Sequence, residues 1–332
     1  MNKQKISDLY NKKRSIEFYE DKYHQGYMEE HLGEQKRKIL EVIKEIGLPE
    51  KGEGLDFGCG NGVLTEVIRQ ALPSWKIYGT DISSKAINNA RIRFPECSFI
   101  ELSDPSFDYN HKKFDFVFTH HVFEHVYNLN EVFNQMDKFL KQTKSSMLHF
   151  LPCGNEGSYE YNVCLLRKDG INKELENKFF FEEEGHVRRL KSEDFVKLCQ
   201  TKGFDLQKEY YAYQYYGAIE WITNITYSSP KFVLMFSDSS QAINKKAKQK
   251  LKIIRMYLII IIALRMPAQI VTKMLKKRNK QLKHYILWLI GLPFFVFSSP
   301  IDKYWRRKAR DEWDSKKFKR NGSEMCLYFE RR

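Results

Sequence analysis

Apolar residues recur along this chain with two periods, and the periods alternate. Residues 39, 40, 43 and 46 line one helical face that stops at Gly47. Residues 54–57 follow as a short strand, then a turn, then a helix-compatible run with Val63, Leu64, Val67 and Ile68. The same order repeats: strands at 75–81, 98–102, 114–118 and 146–152, with helices at 84–93 and 129–140 between them. Phe114, Phe116, Val117 and Phe118 make a nearly continuous apolar run, as expected of a central parallel strand covered on both faces. A helix at 193–202 with Ser192 as its N-cap precedes a sixth strand at 205–213. The last apolar alternation, 323–330, reads as a seventh strand, antiparallel to its neighbours. Strands alternating with helices predict an α/β fold with a Rossmann-like, mostly parallel seven-stranded sheet.

Roughly a hundred residues separate the last two strands, and their composition differs from the rest. Residues 245–320 carry 22 Lys and Arg against 4 Asp and Glu, while the remainder holds 34 and 38. The formal net charge of +14 is therefore a property of one segment, and the mildly acidic core disfavours a nucleic-acid partner. Two apolar runs lie within it: 256–264, bounded by Arg255 and Arg265, and 285–301, broken by Gly291, Pro293 and Pro300. Neither reaches the ~20 residues of a comfortable membrane span. With basic residues at every end, a re-entrant or interfacial helical hairpin on an anionic membrane satisfies the charge pattern. A soluble helical subdomain packing against itself or a twin is the other reading. The six cysteines are scattered with no C-x-x-C pair, which suits a reducing compartment. The charged N-terminus shows no signal-peptide core. These features place the chain on the cytoplasmic side of a membrane, peripheral or monotopic, or otherwise in the cytoplasm.

The turn after the first strand is where chemistry is expected. Gly58, Gly60 and Gly62 follow Asp56 in a strand–turn–helix context, so backbone can approach a ligand closely. Val63 stands where a dinucleotide fingerprint has its third glycine, which argues against a pyrophosphate. The stretch resembles motif I of the class I S-adenosylmethionine (SAM) dependent methyltransferases. Asp81, at the end of the second strand, supplies the acid such folds use to accept the ribose hydroxyls. The resemblance implies a cofactor shell of Asp56, Gly58, Gly60, Gly62, Asp81, Ile82, Asp104 and Thr119, with Asp104 at the adenine amino group.

Residues 119–126 resemble the "LEHV" stretch of small-molecule methyltransferases, including those that O-methylate ubiquinone precursors. Residues 185–188 resemble a second family stretch, "GHVR". If 119–126 is helical, His121, Glu124 and His125 share one face. His125 is the first choice for a general base, ahead of His186 and His121; a divalent metal or a structural role are the alternatives. The reaction itself demands no metal. The implied activity is SAM-dependent O-methylation of a hydroxyl on a small-molecule or lipid-linked acceptor at the membrane surface. The rival is a catalytically degenerate methyltransferase fold acting as a membrane-anchored scaffold. The expected organisation is an N-terminal helical cover (1–34), a SAM-binding core (35–213), a basic hydrophobic insertion (214–322) and a last core strand (323–332). The tyrosine-rich N-terminal stretch would cover the cofactor or rest on the sheet edge.

Overall fold

The computed structural model describes residues 12–24, 33–101, 113–183, 185–225, 228–276 and 282–332. Seven strands form one sheet: β1 (Gly52–Phe57), β2 (Trp75–Asp81), β3 (Ser98–Glu101), β4 (Phe116–His120), β5 (Ser146–Pro152), β6 (Phe204–Ala212) and β7 (Glu324–Arg331). Their order is 3-2-1-4-5-7-6. Only β7 runs antiparallel, wedged between β5 and β6 with Cys326 opposite both Phe150 and Tyr210. Among the described residues the α-helices, in chain order, are α1 (Lys12–His24), α2 (Gly33–Ile46), α3 (Val63–Ala71), α4 (Ser84–Arg93), α5 (Leu129–Phe139), α6 (Tyr159–Cys164), α7 (Ser192–Thr201), α8 (Tyr216–Ile222), α9 (Pro230–Phe236), α10 (Lys245–Lys276) and α11 (Leu282–Lys316).

The core divides across the sheet as strand alternation requires. Val117 and Leu55 pack under α5 and α7 with Phe133, Met136 and Phe195. Phe116 and Phe118 face the other way, onto Ile39, Ile43 and Leu64 of α2 and α3. Trp313, near the end of α11, joins that second layer. Its indole N–H donates to Glu41 Oε1 (3.0 Å), and Lys317 Nζ reaches the same carboxylate (2.8 Å). Glu312 accepts from the backbone N–H groups of Tyr215 (3.1 Å) and Gly217 (2.9 Å). The segment between β6 and β7 is thereby bolted to the core where it returns to the sheet.

Three local expectations give way. The prolines and glycine at 291, 293 and 300 do not break the second apolar run; α11 passes through them. An interior proline costs about 3 kcal/mol in an isolated helix, but here α10 packs alongside. At Gly291 a Cβ would lie 3.1 Å from Val271 Cγ2, so the glycine permits the helices' close approach. The apolar run in α10 likewise continues past Arg265, and Lys245–Leu275 is long and apolar enough to cross a membrane by length and composition. Ser192 is the first residue of α7, not its cap: Asn155 Oδ1 accepts the Ser192 N–H from a separate loop (3.0 Å).

Candidate active site

Asp81 organises the cofactor end. Its Oδ2 accepts the Gly60 N–H (2.9 Å) and its Oδ1 the Ser83 N–H (3.0 Å), which orients the carboxylate at the mouth of the turn. The turn is held from below by the Thr80 carbonyl, which accepts from Gly58 N (2.8 Å) and Cys59 N (2.9 Å). Gly58 and Gly60 have φ of 80° and 52°, a region that side chains disfavour. A Cβ at Gly58 would come 2.4 Å from Val122 Cγ2, and one at Gly60 2.7 Å from the Tyr23 hydroxyl. Asp56 is buried beneath the turn and accepts from Thr65 Oγ1 (2.7 Å). Burial, with Asp81 nearby, pushes its carboxyl up to about 7 against the Thr65 hydrogen bond.

A single cavity runs from this turn to the histidines. Asp56, Gly58, Gly60, Asp81 and Ile82 line one end; His120, His121, His125 and His186 line the other. Tyr19 and Tyr23 of α1 complete the wall, and the Lys22–Glu183 ion pair (3.0 Å) ties α1 to the loop opposite. The tyrosine-rich helix therefore covers the cavity. Gly62 lies outside the lining, as the left-handed N-cap of α3. Thr119 is also elsewhere: it shares strand parity with Val117, and its hydroxyl pairs with His149 Nδ1 (2.8 Å) in the core. Asp104 lies outside the described residues.

The expected helical face at 119–126 is not formed. His121 has φ 55°, and only Phe123–His125 makes a single 3₁₀ turn. His121 and Glu124 meet nonetheless. His121 Nδ1 lies 3.0 Å from Glu124 Oε1 and its Nε2 3.2 Å from Glu324 Oε2. With a carboxylate near each nitrogen the ring is held as an imidazolium, Nε2 donating to Glu324 and the Nδ1 side forming an ion pair with Glu124. Burial opposes that charge, but Glu124 and Glu324 outweigh it and hold His121 up at about 10. Burial likewise opposes the Glu124 charge, and His121 outweighs it, holding Glu124 down at about 2.

This cluster sets a pH dependence of stability. A histidine raised above its unfolded value contributes in full below that value of 6.5, and the contribution is lost as pH rises toward 10. The depressed Glu124 contributes above its unfolded value of 4.5 and loses that as pH falls toward 2. We expect the melting temperature to fall from neutral pH toward pH 10, and to fall less in His121→Gln. Thermal unfolding over a pH series checks this; equal slopes for both proteins would mean His121 is not charged.

His125 and His186 sit edge to face with ring centroids 4.6 Å apart. His125 Nδ1 faces the Gly185 carbonyl (3.0 Å) and the Tyr19 hydroxyl (2.5 Å). A carbonyl only accepts, so the neutral ring carries its proton on Nδ1 and leaves Nε2 bare. Burial, with His186 beside it, pushes His125 down to about 4 against the pull of Glu124. His186 Nδ1 faces Glu182 Oε1 (3.2 Å), and that oxygen also accepts from Arg189 Nη1 (3.1 Å). Burial opposes the Glu182 charge, but Arg189 and His186 keep its carboxyl below the usual range. Two triads, His120–His121–Glu324 and Glu124–His125–His186, each bring three ligand atoms within 4.8 Å and could hold a divalent ion.

Glu182 and Glu324 carried no motif and were missed. Glu182 could have been found only as an acid four residues before His186, and Glu324 only as the first residue of the last strand.

A glycine turn, an acid after the second strand and a 3-2-1-4-5-7-6 sheet together define a class I SAM-dependent methyltransferase, and its cofactor is SAM. The chain belongs to the methyltransferase domain family, whose profile matches residues 28–209. Trans-aconitate 2-methyltransferase of Variovorax paradoxus is 39% identical over 71 residues, 21% of this chain and 27% of that protein. The enzyme of the same name from Enterobacter sp. is 35% identical over 78 residues, 24% and 31% of the two chains. The chain thus spans about a quarter to a third of the length of the curated relatives it matches. Among solved structures, coclaurine N-methyltransferase bound to N-methylheliamine and SAH is 13% identical, covering 91% of this chain and 74% of that one, with a TM-score of 0.43. A SAM-dependent methyltransferase from Clostridium acetobutylicum is 17% identical over 61% and 92%, with a TM-score of 0.40.

Proposed function

We propose that this protein methylates a hydroxyl oxygen of an uncharged small-molecule or lipid-linked acceptor, at a membrane surface. The observation that carries the reading is the lining of the cavity: it has four histidines and three tyrosines, and no Lys or Arg among the described residues. Among the described lining residues the one fixed cation, His121, is already matched by two carboxylates. A polycarboxylate such as the one in the relatives' name would meet Asp56, Asp81 and Glu131 with no free cation to pair with. A neutral hydroxyl suffers no such penalty, but it needs a base.

Bound SAM supplies a methyl group already activated on its sulfonium. The chain's own task is to hold the two molecules in line and take up a proton. Gly58, Gly60 and Ile82 shape the cofactor end, Asp81 accepts the ribose hydroxyls, and the carboxyls of Asp56 and Asp81 suit the cofactor's positive charge. At the other end His186 accepts the acceptor's proton. Glu182 orients it, as an acid does in a histidine dyad. His125, made a weak base by burial, shapes the pocket beside it. His121 cannot take a proton, since both its nitrogens already carry one.

The test is incubation of the full chain with methyl-labelled SAM and membrane lipid extract, followed by alkali treatment of the product. An ether formed at a hydroxyl keeps its label; a methyl ester releases it as methanol. Alkali-stable label in the extract is expected. Alkali-labile label would show a carboxylate acceptor, and no label with intact SAM binding would leave the degenerate-scaffold reading.

A further inference from the structure

The hairpin of α10 and α11 leaves the body of the molecule partway along. Near its base it packs on α8 and α9: Leu258, Ile261, Ile262 and Trp305 close a cluster with Ile219, Ile222, Val233 and Phe236. Next comes a polar layer. Arg265 is fully buried, donating from Nε to Asp302 Oδ1 (2.8 Å) and from Nη2 to Glu220 Oε1 (3.2 Å). Gln269 donates to Asp302 (2.8 Å) and accepts the Ile225 N–H (3.0 Å). The one charge inside the apolar length of α10 is thus turned inward and matched, so it adds nothing to the exposed face.

That face is apolar on both helices. On α10, Met256, Ile260 and Leu264 repeat every four residues and stand exposed. On α11, Ile286, Ile290, Phe294 and Phe297 do the same at spacings of four, four and three, with Phe297 77% exposed. Residues 285–301 carry no charge. Cations cluster at both ends of the stripes instead. Lys245, Lys246, Lys248, Lys250, Lys252 and Arg255, with Lys303, Arg306, Arg307, Lys308 and Arg310, stand at the base; in the sequence between the two apolar runs come Lys273, Lys276, Lys277, Arg278, Lys280 and Lys283.

We infer that this hairpin lies in the plane of an anionic phospholipid bilayer, its apolar stripes sunk to the acyl boundary and both cation clusters among the headgroups. Three orientations are available, and the charges choose among them. A hairpin crossing the membrane would carry the six cations that lie in sequence between its two apolar runs to the far side. One dipping halfway would leave them in hydrocarbon. Lying flat keeps every cation at phosphate level while removing the exposed phenylalanines and isoleucines from water. A second copy of the chain fits the same face less well, because the cation-rich ends would confront each other. This deepens the proposed function by naming the surface at which the acceptor is met, and rests on that reading only for the acceptor.

The experiment uses the full chain and vesicles of phosphatidylcholine with or without phosphatidylglycerol. All six native cysteines are buried, so a single introduced cysteine takes an environment-sensitive fluorophore selectively. Ile260→Cys and Phe297→Cys should both blue-shift on anionic vesicles. Both should be quenched best by nitroxides placed shallow in the acyl chains. Phe294→Asp combined with Phe297→Asp should weaken vesicle affinity at least about tenfold, by the loss of two buried aromatic side chains, and leave SAM affinity unchanged. Absence of flotation with anionic vesicles overturns the inference. So does deep quenching at residue 297, or lipid-free dimerisation that the double substitution abolishes. SAM binding and methylation of a detergent-dispersed acceptor are scored in the same variants, so a failed docking surface is distinguishable from a failed enzyme.

Discussion

Asp81→Ala is expected to weaken both SAM and S-adenosylhomocysteine by about a hundredfold or more. Two losses combine. The carboxylate is buried and fixed by the Gly60 and Ser83 N–H groups, so its remaining lone pairs are aimed and ready to accept two ribose hydroxyls. Hydrogen bonds to a charged group contribute about 1.5–3 kcal/mol each, and two of them exceed the ~2.7 kcal/mol of a hundredfold change. The substitution also strips the Gly60 N–H of its acceptor and slackens the turn on which the cofactor rests. Calorimetric titration of both ligands measures the effect, with thermal unfolding as the control for folding. Asp81→Asn should fall between, since it keeps one acceptor oxygen and loses the charge. If Asp81→Ala binds both ligands like the wild type, Asp81 does not hold the ribose and the cofactor sits differently in the cavity.

What the sequence disclosed, and what it hid, follows from how local each feature is. The glycine turn and Asp81 were legible because turn, strand end and acid lie within thirty residues and their spacing is set by one β-turn-α-β unit. The last strand was legible across a hundred residues because Met325, Leu327 and Phe329 keep a strand's alternation whatever precedes them. Its first residue was not. Glu324 reaches His121 only because β7 threads back between β5 and β6, a contact that no local pattern encodes. Thr119 was placed by position in a motif, when its strand parity already put it opposite the cavity. The conditional helical face for His121 is one that its own left-handed backbone prevents. The helix breakers in α11 misled for the converse reason. Gly291 and Pro293 disfavour an isolated helix, and packing against Val271 and Pro267 overrides them. Asn155 capping α7 from another loop is the same lesson at smaller scale.

His186→Ala is expected to lower kcat by about a hundredfold to ten-thousandfold while leaving SAM affinity unchanged, the range for loss of a positioned general base. The sequence favoured His125, and the environments of the two rings reverse that order. Burial drives His125 down to about 4, so it is neutral at physiological pH but a poor acceptor for a hydroxyl proton. Its Nδ1 is held by the Gly185 carbonyl and Tyr19, and the support that carbonyl gives the protonated ring does not offset burial. His186 instead faces a carboxylate that Arg189 and the Phe179 N–H (2.6 Å) hold in place, so the charge it acquires is met as it forms. His125→Ala should therefore cost about tenfold or less, from lost packing against its neighbour. Glu182→Gln should lower kcat with little change in KM, because it acts through His186 and touches no substrate. Steady-state kinetics of the three variants, with SAM titrations alongside, separates these roles. If His125→Ala loses more activity than His186→Ala at equal SAM affinity, the base is His125. The Glu182 pairing would then be an anchor for the loop and no part of the chemistry.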